Sequence, residues 1–227
     1  MSRIQKSTID FLRQLAKNND REWFNANKPT YEKARENVAE FAQSLMDRIN
    51  QDDLLETQNG KKSLFRIYRD VRFSKNKAPY KTSLSGRFRR EGKLRRGGYY
   101  YHLEPGDFVI GGGFYGMEKH DLKRMRQELD QDGDTLRGIM AAPAFKEQFG
   151  VMRGEQLKTA PQGYPKDHEN IDLLRYKQFY AFRNFTEKEV LSAGFLDEAH
   201  AAVVALRPFF DYFTDVLTTD ANGELMV

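Results

Sequence analysis

The sequence has no cysteine and only one tryptophan among its 227 residues. The absence of cysteine excludes disulfides, thiolate catalysis and cysteine-ligated zinc sites. No stretch approaches the roughly 18 consecutive apolar residues of a membrane-spanning helix. The first residues carry no apolar run of the kind that a secretory signal requires. We therefore expect a cytoplasmic protein that does not act in a membrane.

Several motifs that are typical of particular enzyme reactions are also missing. The chain has no GxxxxGK[ST] phosphate loop, no HExxH zinc motif and no GxSxG nucleophile turn. None of the four histidines (His102, His120, His168 and His200) lies four residues from another. The sequence accordingly predicts no metal and no cofactor. His102 is the candidate general acid or base, because it falls on a predicted strand near the most basic segment.

Charge is distributed very unevenly along the chain. The stretch from Lys61 to Arg96 holds 14 basic residues and two acids, Asp70 and Glu91, whereas the rest of the chain holds 23 basic and 31 acidic residues. A segment this basic repels itself unless acidic residues fold over it or an anion binds to it.

Hydrophobic periodicity predicts helices at both ends of the chain and a sheet in the middle. Apolar residues recur every three or four positions in two N-terminal segments and again from Phe195 to Leu217, which is typical of helices with one buried face. Strands are predicted at 64–73, 83–90, 98–104, 107–115 and 175–185. This order predicts a single α+β domain over 1–227, with an antiparallel sheet of about five or more strands packed against helices from the N- and C-terminal parts.

The densest basic stretch is FRIYRDVRFSKNKAPYKT, residues 65–82. Arginine offers a planar fork for phosphate or carboxylate, and lysine adds a point charge. We expect an anion-binding pocket in which Asp70 orients an arginine and Tyr101 forms a wall. Its binding side chains would be Arg66, Arg69, Arg72, Ser74, Lys75, Lys77, Tyr80 and Lys81. The alternative is a basic strand pair that acidic helices neutralise from within.

Two further features lie on the predicted strands that follow. Gly111-Gly112-Gly113 fits a bulge or a close approach of the backbone to a ligand or another chain. Tyr99, Tyr100, Tyr101 and His102 place aromatic rings on both faces of one strand, which suits either a half-buried sheet or a stacking platform for single-stranded nucleic acid.

Several segments together resemble a known family. Asn18-Asn19, Trp23-Phe24, Lys28 and Tyr31, followed by the motif at 65–82 and a segment from Tyr176 to Phe185, are similar to a widespread bacterial and fungal family of conserved hypothetical proteins, classed as a domain of unknown function. The resemblance covers nearly the whole chain. It implies a single α+β domain and brings no activity, cofactor or catalytic residue with it.

The first expectation for function is therefore a phosphate- or carboxylate-binding pocket centred on residues 65–82, in a protein that could be an enzyme acting on a phosphorylated or nucleotide-like small molecule. A nucleic-acid-binding module is the second expectation. The third is a structural or interaction protein that docks on an acidic partner or on its own second copy.

Overall fold

A computed structural model describes residues 3–220 and 223–225 of the chain. These residues form ten helices and four strands. The helices are α1 (Lys6–Lys17), α2 (Arg21–Ala26), α3 (Lys28–Ile49), α4 (Gly60–Ser63), α5 (Lys119–Gln131), α6 (Asp134–Ala141), α7 (Pro143–Phe149), α8 (Ile171–Leu174), α9 (Glu187–Val190) and α10 (Phe195–Thr218). The strands are β1 (Leu84–Arg89), β2 (Gly98–Glu104), β3 (Asp107–Phe114) and β4 (Phe179–Phe185).

The α+β class and the antiparallel sheet are confirmed. The four strands lie side by side in the order β1-β2-β3-β4, and each falls inside a segment that the sequence predicted as a strand. Alternation sets their two faces: in β2, Tyr99, Tyr101 and Leu103 are buried, while the residues between them are only half-buried. One face of this strand is therefore part of the core, and the other is partly open to solvent.

The prediction of five or more strands is not confirmed, because residues 64–73 form no regular strand. This segment pairs with residues 79–86 through isolated bridges, Leu64 with Gly86 and Tyr68 with Tyr80. The pairing register shifts by two residues between these bridges, so the ladder is interrupted. Pro79 adds to the irregularity, since proline has no N–H to donate to a ladder. The expected alternation also fails at Phe73, whose side chain is 96% exposed.

The chain divides into two compact units, which are described separately. The first comprises the chain up to Arg89, Tyr100–Ile110 and Asn184–Ala201, and the second comprises Arg90–Tyr99, Gly111–Arg183 and the chain from Ala202 onward. The predicted single domain over 1–227 also includes residues 1–2, 221–222 and 226–227, which lie outside the described part of the chain. That single domain stays a prediction.

In the first unit, the long helix α3 packs against α1, α4 and β1. The apolar stripe predicted for this helix is buried at Val38, Phe41, Leu45 and Ile49. Phe41 stacks on Phe195 with the ring centroids 5.0 Å apart. The core of this unit therefore forms where the helical period of 3.6 residues places large apolar side chains on one side.

In the second unit, the core is an aromatic cluster. Phe213 lies between Phe114, at a centroid distance of 4.5 Å, and Phe209, at 4.6 Å. Phe179 adds an edge-to-face contact to Phe213 at 5.2 Å. Helix α10 continues through Pro208, so this proline does not split the helix. Such ring pairs add to the free energy gained by burying apolar area.

The glycine run in β3, Gly111-Gly112-Gly113, allows the backbone of β3 to lie close to the neighbouring strand β4. A Cβ atom on Gly111 would lie 2.1 Å from the carbonyl oxygen of Ala181 in β4. Gly113 has φ +147°, a backbone conformation that favours glycine, and a Cβ there would lie 2.4 Å from the carbonyl oxygen of Phe179. Both positions therefore need glycine because of the neighbouring strand.

Replacing Gly111 by alanine is expected to lower the free energy of unfolding by about 1–3 kcal/mol, because the added methyl group forces backbone atoms apart. Gly138 in α6 is the matched control, since a Cβ at that position meets nothing within 4 Å. Gly138→Ala should leave stability unchanged or raise it by up to about 1 kcal/mol. Urea unfolding of both variants measures the difference, and equal stabilities would contradict the close-approach argument.

Within residues 3–220 and 223–225, none of the helices combines the length and the apolar character that crossing a bilayer would require.

Candidate functional site

The side chains predicted to bind an anion all lie in the first unit. Some of them bind residues of their own loop, and others lie at the surface. The Arg72 guanidinium binds both carboxylate oxygens of Asp70, at 2.9 and 2.6 Å. This hydrogen bonding holds the pKa of the Asp70 carboxyl below its usual value. The Arg72 guanidinium is therefore already bound to Asp70, and the pair is exposed to solvent.

Other members of the predicted set hold the loop between residues 69 and 80 in shape. Arg69 is half-buried and donates to the carbonyl oxygen of Ala78, at 3.2 Å, and to Ser74 Oγ, at 3.5 Å. Lys77 donates to the carbonyl oxygen of Val71 at 3.0 Å. These side chains donate hydrogen bonds to oxygen atoms of their own loop. Lys75 is exposed.

Tyr80 belongs to the core rather than to a surface. Its ring stacks on Phe24 with the centroids 3.9 Å apart. The Asn19 side chain holds the backbone of Tyr80: it accepts a hydrogen bond from the Tyr80 N–H and donates one to the Tyr80 carbonyl oxygen, both at 3.0 Å. Burial raises the pKa of the Tyr80 hydroxyl. Asn19 is one of the residues that carried the family resemblance, and this contact gives it a structural role.

Backbone pairing places two of the predicted cations, Arg66 and Lys81, at neighbouring positions. The Lys81 N–H donates to the carbonyl oxygen of Ile67 at 2.8 Å, which places Lys81 across the ladder from the residue after Arg66. Burial lowers the pKa of the Lys81 ammonium, and the positive charge of Arg66 lowers it further. The Lys81 Nζ also lies 5.5 Å from the centroid of the Phe65 ring.

A connected polar network occupies the half-buried face of β1 and β2 in the same unit. His102 Nδ1 lies 2.8 Å from Ser85 Oγ and 3.1 Å from the Tyr100 hydroxyl. His102 Nε2 lies 3.1 Å from Glu104 Oε2. Burial raises the pKa of Tyr100, and its hydrogen bond with Ser85 opposes that change. The imidazole is therefore held at both nitrogens by neighbouring side chains.

Two contacts link this network to the surface of Arg66 and Lys81. Thr82, the residue after Lys81, donates a short hydrogen bond to Glu104 Oε1. The ring of Phe65, which Lys81 approaches, lies 6.4 Å from the ring of Tyr100. Lys81 and the histidine network thus belong to one surface of the first unit.

Sequence reasoning singled out His102 and missed its acidic neighbours. Glu104 lies two residues further along β2, and alternation places it on the same face as His102. Asp107 begins β3, directly after the turn at Pro105-Gly106, and its Oδ2 lies 3.9 Å from His102 Nε2. The signal in the sequence was a histidine and two acids around a predicted hairpin turn, His102-x-Glu104-x-x-Asp107.

Tyr101, the predicted wall of the pocket, points into the core. Its hydroxyl lies 2.6 Å from Ser63 Oγ, and its side chain is 1% exposed. Burial strongly raises the pKa of this hydroxyl. Tyr100, one residue earlier and on the opposite face of the strand, is the tyrosine that borders the surface.

Comparison with known proteins gives one match. A model of the protein family described as "Conserved hypothetical protein (DUF2461)" matches residues 7–212. The resemblance to a family of conserved hypothetical proteins is thereby confirmed. Neither the curated proteins nor the solved structures contain a match to the chain.

Proposed function

We propose that this chain, which belongs to the DUF2461 family of conserved hypothetical proteins, binds a small molecule that carries a phosphate or carboxylate group, and that Arg66 and Lys81 hold this group. The main support is that Arg66 and Lys81 lie at neighbouring positions of the backbone pairing, where the positive charge of Arg66 lowers the pKa of Lys81. Neither makes an ion pair with an acid among residues 3–220 and 223–225, and the charge of Arg66 also lowers the pKa of Asp70. Some other cations of the basic segment have an acidic partner, as Arg72 has Asp70 and Arg89 has Glu56.

Electrostatics favours an anion at this position. Two neighbouring positive charges repel each other, and partial burial of Lys81 weakens the screening of that repulsion by water. A bound phosphate or carboxylate would remove the repulsion and accept charge-assisted hydrogen bonds from both side chains. These two cations would also stabilise negative charge that develops during a reaction of the bound group.

A cleft beside Phe65, next to Arg66 in the chain, offers room for the rest of a small molecule. Phe65 is 38% exposed, so its ring can stack on a planar group. Phe65 also lines a cleft of about 300 Å³ whose border includes Lys62 and Arg87. This volume is at the lower end of the range for small-molecule sites, which fits a ligand of the size of a sugar phosphate or a mononucleotide.

Calorimetric titration with inorganic phosphate and with AMP tests the proposal, on protein that has been freed of metal ions with EDTA and then dialysed to remove the EDTA. Removal of either charge, in Arg66→Ala or Lys81→Gln, is expected to weaken the affinity at least about tenfold, because a hydrogen bond between charged partners contributes about 1.5–3 kcal/mol. Lys75→Ala is the matched control, since it removes an exposed lysine of the same segment and should bind like the wild type.

The proposal is wrong if neither anion binds the wild type. It is also wrong if all three variants lose affinity equally, because that result would indicate a response to net charge. Thermal unfolding of each variant without ligand would show whether the fold is retained. A ligand at a hundredfold excess over its Kd should stabilise the wild type by about 2.7 kcal/mol.

A nucleic-acid-binding role is the second candidate, and exposed aromatic rings beside cations favour it. Phe73 is 96% exposed and Tyr68 is 57% exposed, and the Arg72 guanidinium lies 5.9 Å from the centroid of the Phe73 ring. Bases of single strands stack on such rings while cations contact the phosphates. Binding of single-stranded RNA at about 50 mM salt that disappears at about 200 mM salt, without binding of AMP, would place this role first.

A further inference from the structure

Three metal-ligating groups converge at the turn between β2 and β3. His102, Glu104 and Asp107 each offer one ligand atom, and these atoms all lie within 4.8 Å of one another. No other group of three or more histidines and acids in the described part of the chain converges in this way. We propose that His102 Nε2, one oxygen of Glu104 and one oxygen of Asp107 bind a divalent transition-metal ion, Zn²⁺ or Mn²⁺.

The spacing of the donor atoms fits ligands that share one ion. His102 Nε2 lies 3.1 Å from Glu104 Oε2 and 3.9 Å from Asp107 Oδ2. Ligands about 2.0–2.2 Å from a tetrahedral zinc ion are separated from each other by about 3.4 Å. The observed distances bracket this value, so an ion between the three groups requires only small movements of their side chains.

Each ligand is also held by a second residue. Ser85 Oγ and the Tyr100 hydroxyl both face His102 Nδ1. With the proton on Nδ1 donated to these oxygens, the lone pair of Nε2 is available for the metal. Thr82 donates to the other oxygen of Glu104, and Asn184 donates to the other oxygen of Asp107 at 3.4 Å. Outer partners of this kind orient metal ligands and raise their affinity.

The exposure of the three side chains leaves a path for the ion. His102 is 17% exposed, Glu104 is 34% exposed and Asp107 is 58% exposed. The site is thus closed on the side of the sheet and open on the side of Asp107. Three protein ligands leave at least one coordination position for water or a ligand oxygen, as in catalytic rather than structural sites.

The donor set selects the class of metal. Imidazole suits zinc, iron, nickel and copper, whereas carboxylates also suit manganese and magnesium. One imidazole with two carboxylates therefore favours Zn²⁺ or Mn²⁺ over Ca²⁺ and Mg²⁺, because the latter two ions prefer sites made of oxygen ligands alone. This role takes the place of the general acid–base role expected for His102, because the metal occupies Nε2.

The full-length protein, treated with EDTA and then dialysed into phosphate-free buffer, should bind ZnCl₂ or MnCl₂ with one ion per chain in calorimetric titration. Glu104→Gln and Asp107→Asn keep the shape of the side chains and remove one charged ligand each. Each is expected to weaken the affinity at least about tenfold, since the loss of outer partners alone costs about 10–100-fold. Ser85→Ala should produce a smaller loss.

His120→Ala is the matched control. His120 Nε2 lies 3.2 Å from Asp121 Oδ1 and its side chain is 79% exposed, so it is a histidine–carboxylate pair outside the group of three. Its loss should leave metal affinity unchanged. Absence of stoichiometric binding in the wild type, or equal binding by the wild type, Glu104→Gln and Asp107→Asn, would overturn the metal site.

The metal site stands on residues other than Arg66 and Lys81, and its test contains no phosphate, while the test of anion binding uses protein freed of metal ions. Either proposal can therefore fail while the other holds. Because Asp107 is largely exposed, Asp107→Asn should remain folded, so a loss of metal binding in this variant cannot be attributed to unfolding. Far-UV circular dichroism of each variant serves as the check.

Discussion

Truncation of Phe213 to alanine is expected to lower the free energy of unfolding by about 3–5 kcal/mol. Phe213 is fully buried and is the centre of the aromatic cluster of the second unit, where it contacts Phe114, Phe179 and Phe209. Alanine removes the apolar contacts and leaves a cavity that three large rings can fill only in part. For a chain of this length the melting temperature should fall by about 6–20 °C.

Val204→Ala is the control for this prediction, because Val204 lies on the same helix, α10, but is 47% exposed. This substitution should change stability by less than about 0.5 kcal/mol, as is usual for surface positions. Differential scanning calorimetry of both variants gives the comparison. A Phe213→Ala protein that melts within about 2 °C of the wild type would show that the cluster does not form as described.

Removal of the Asp211 carboxylate in Asp211→Ala should have the second-largest effect. We expect it to lower the free energy of unfolding by about 2–3 kcal/mol. Arg90 has a side chain that is only 3% exposed, and it makes an ion pair with Asp211. Its guanidinium also donates to the carbonyl oxygen of Arg96 and to Thr214 Oγ1, and it lies 5.6 Å from the centroid of the Phe210 ring. Loss of an acidic partner raises the free energy of a buried charge more than loss of a surface ion pair does.

Asp215→Ala provides a matched control, since it removes the same charge from an exposed position one turn further along α10. Surface charges of this kind contribute about 0–1 kcal/mol. Chemical denaturation in urea should therefore separate the two variants by at least about 1 kcal/mol. Equal stabilities would mean that Asp211 contributes only as a surface charge.

Local pattern was sufficient for the regular elements. The strand β2 and the helices α1, α3 and α10 follow from periods of two and of about 3.6 residues, because each of these elements buries one face. Strand β3 is buried at five consecutive positions, and the turn at Pro105-Gly106 marks its start. Residues 64–73 share the alternating pattern and yet form no regular strand. Pairing with residues 79–86 changes register there, and register depends on the partner strand as well as on the alternating pattern itself.

The candidate site was predictable only in outline. An excess of basic residues marked the segment from 61 to 96, but the sequence did not distinguish between Arg72, which binds Asp70, and Arg66, which lies near Lys81. Both arginines fall on the same face of an idealised strand. In the structure Arg72 hydrogen bonds to Asp70, and the positive charge of Arg66 lowers the pKa of both Asp70 and Lys81. A pattern of alternation shows none of these contacts.

The sequence by itself determined the class of fold, the positions of its four regular strands and of the helices α1, α3 and α10, and the stretch where positive charge accumulates. Those properties depend on each residue and its near neighbours in the chain. Only the tertiary structure decided which positions meet across the irregular pairing, where Lys81 lies opposite Ile67, the residue after Arg66. It also showed that the ligand atoms of His102, Glu104 and Asp107, which are neighbours in the sequence, lie within 4.8 Å of one another. The pairing of residues 64–68 with 79–86 depends on contacts between two segments, and its register is set by both of them, so no pattern within one segment contains it.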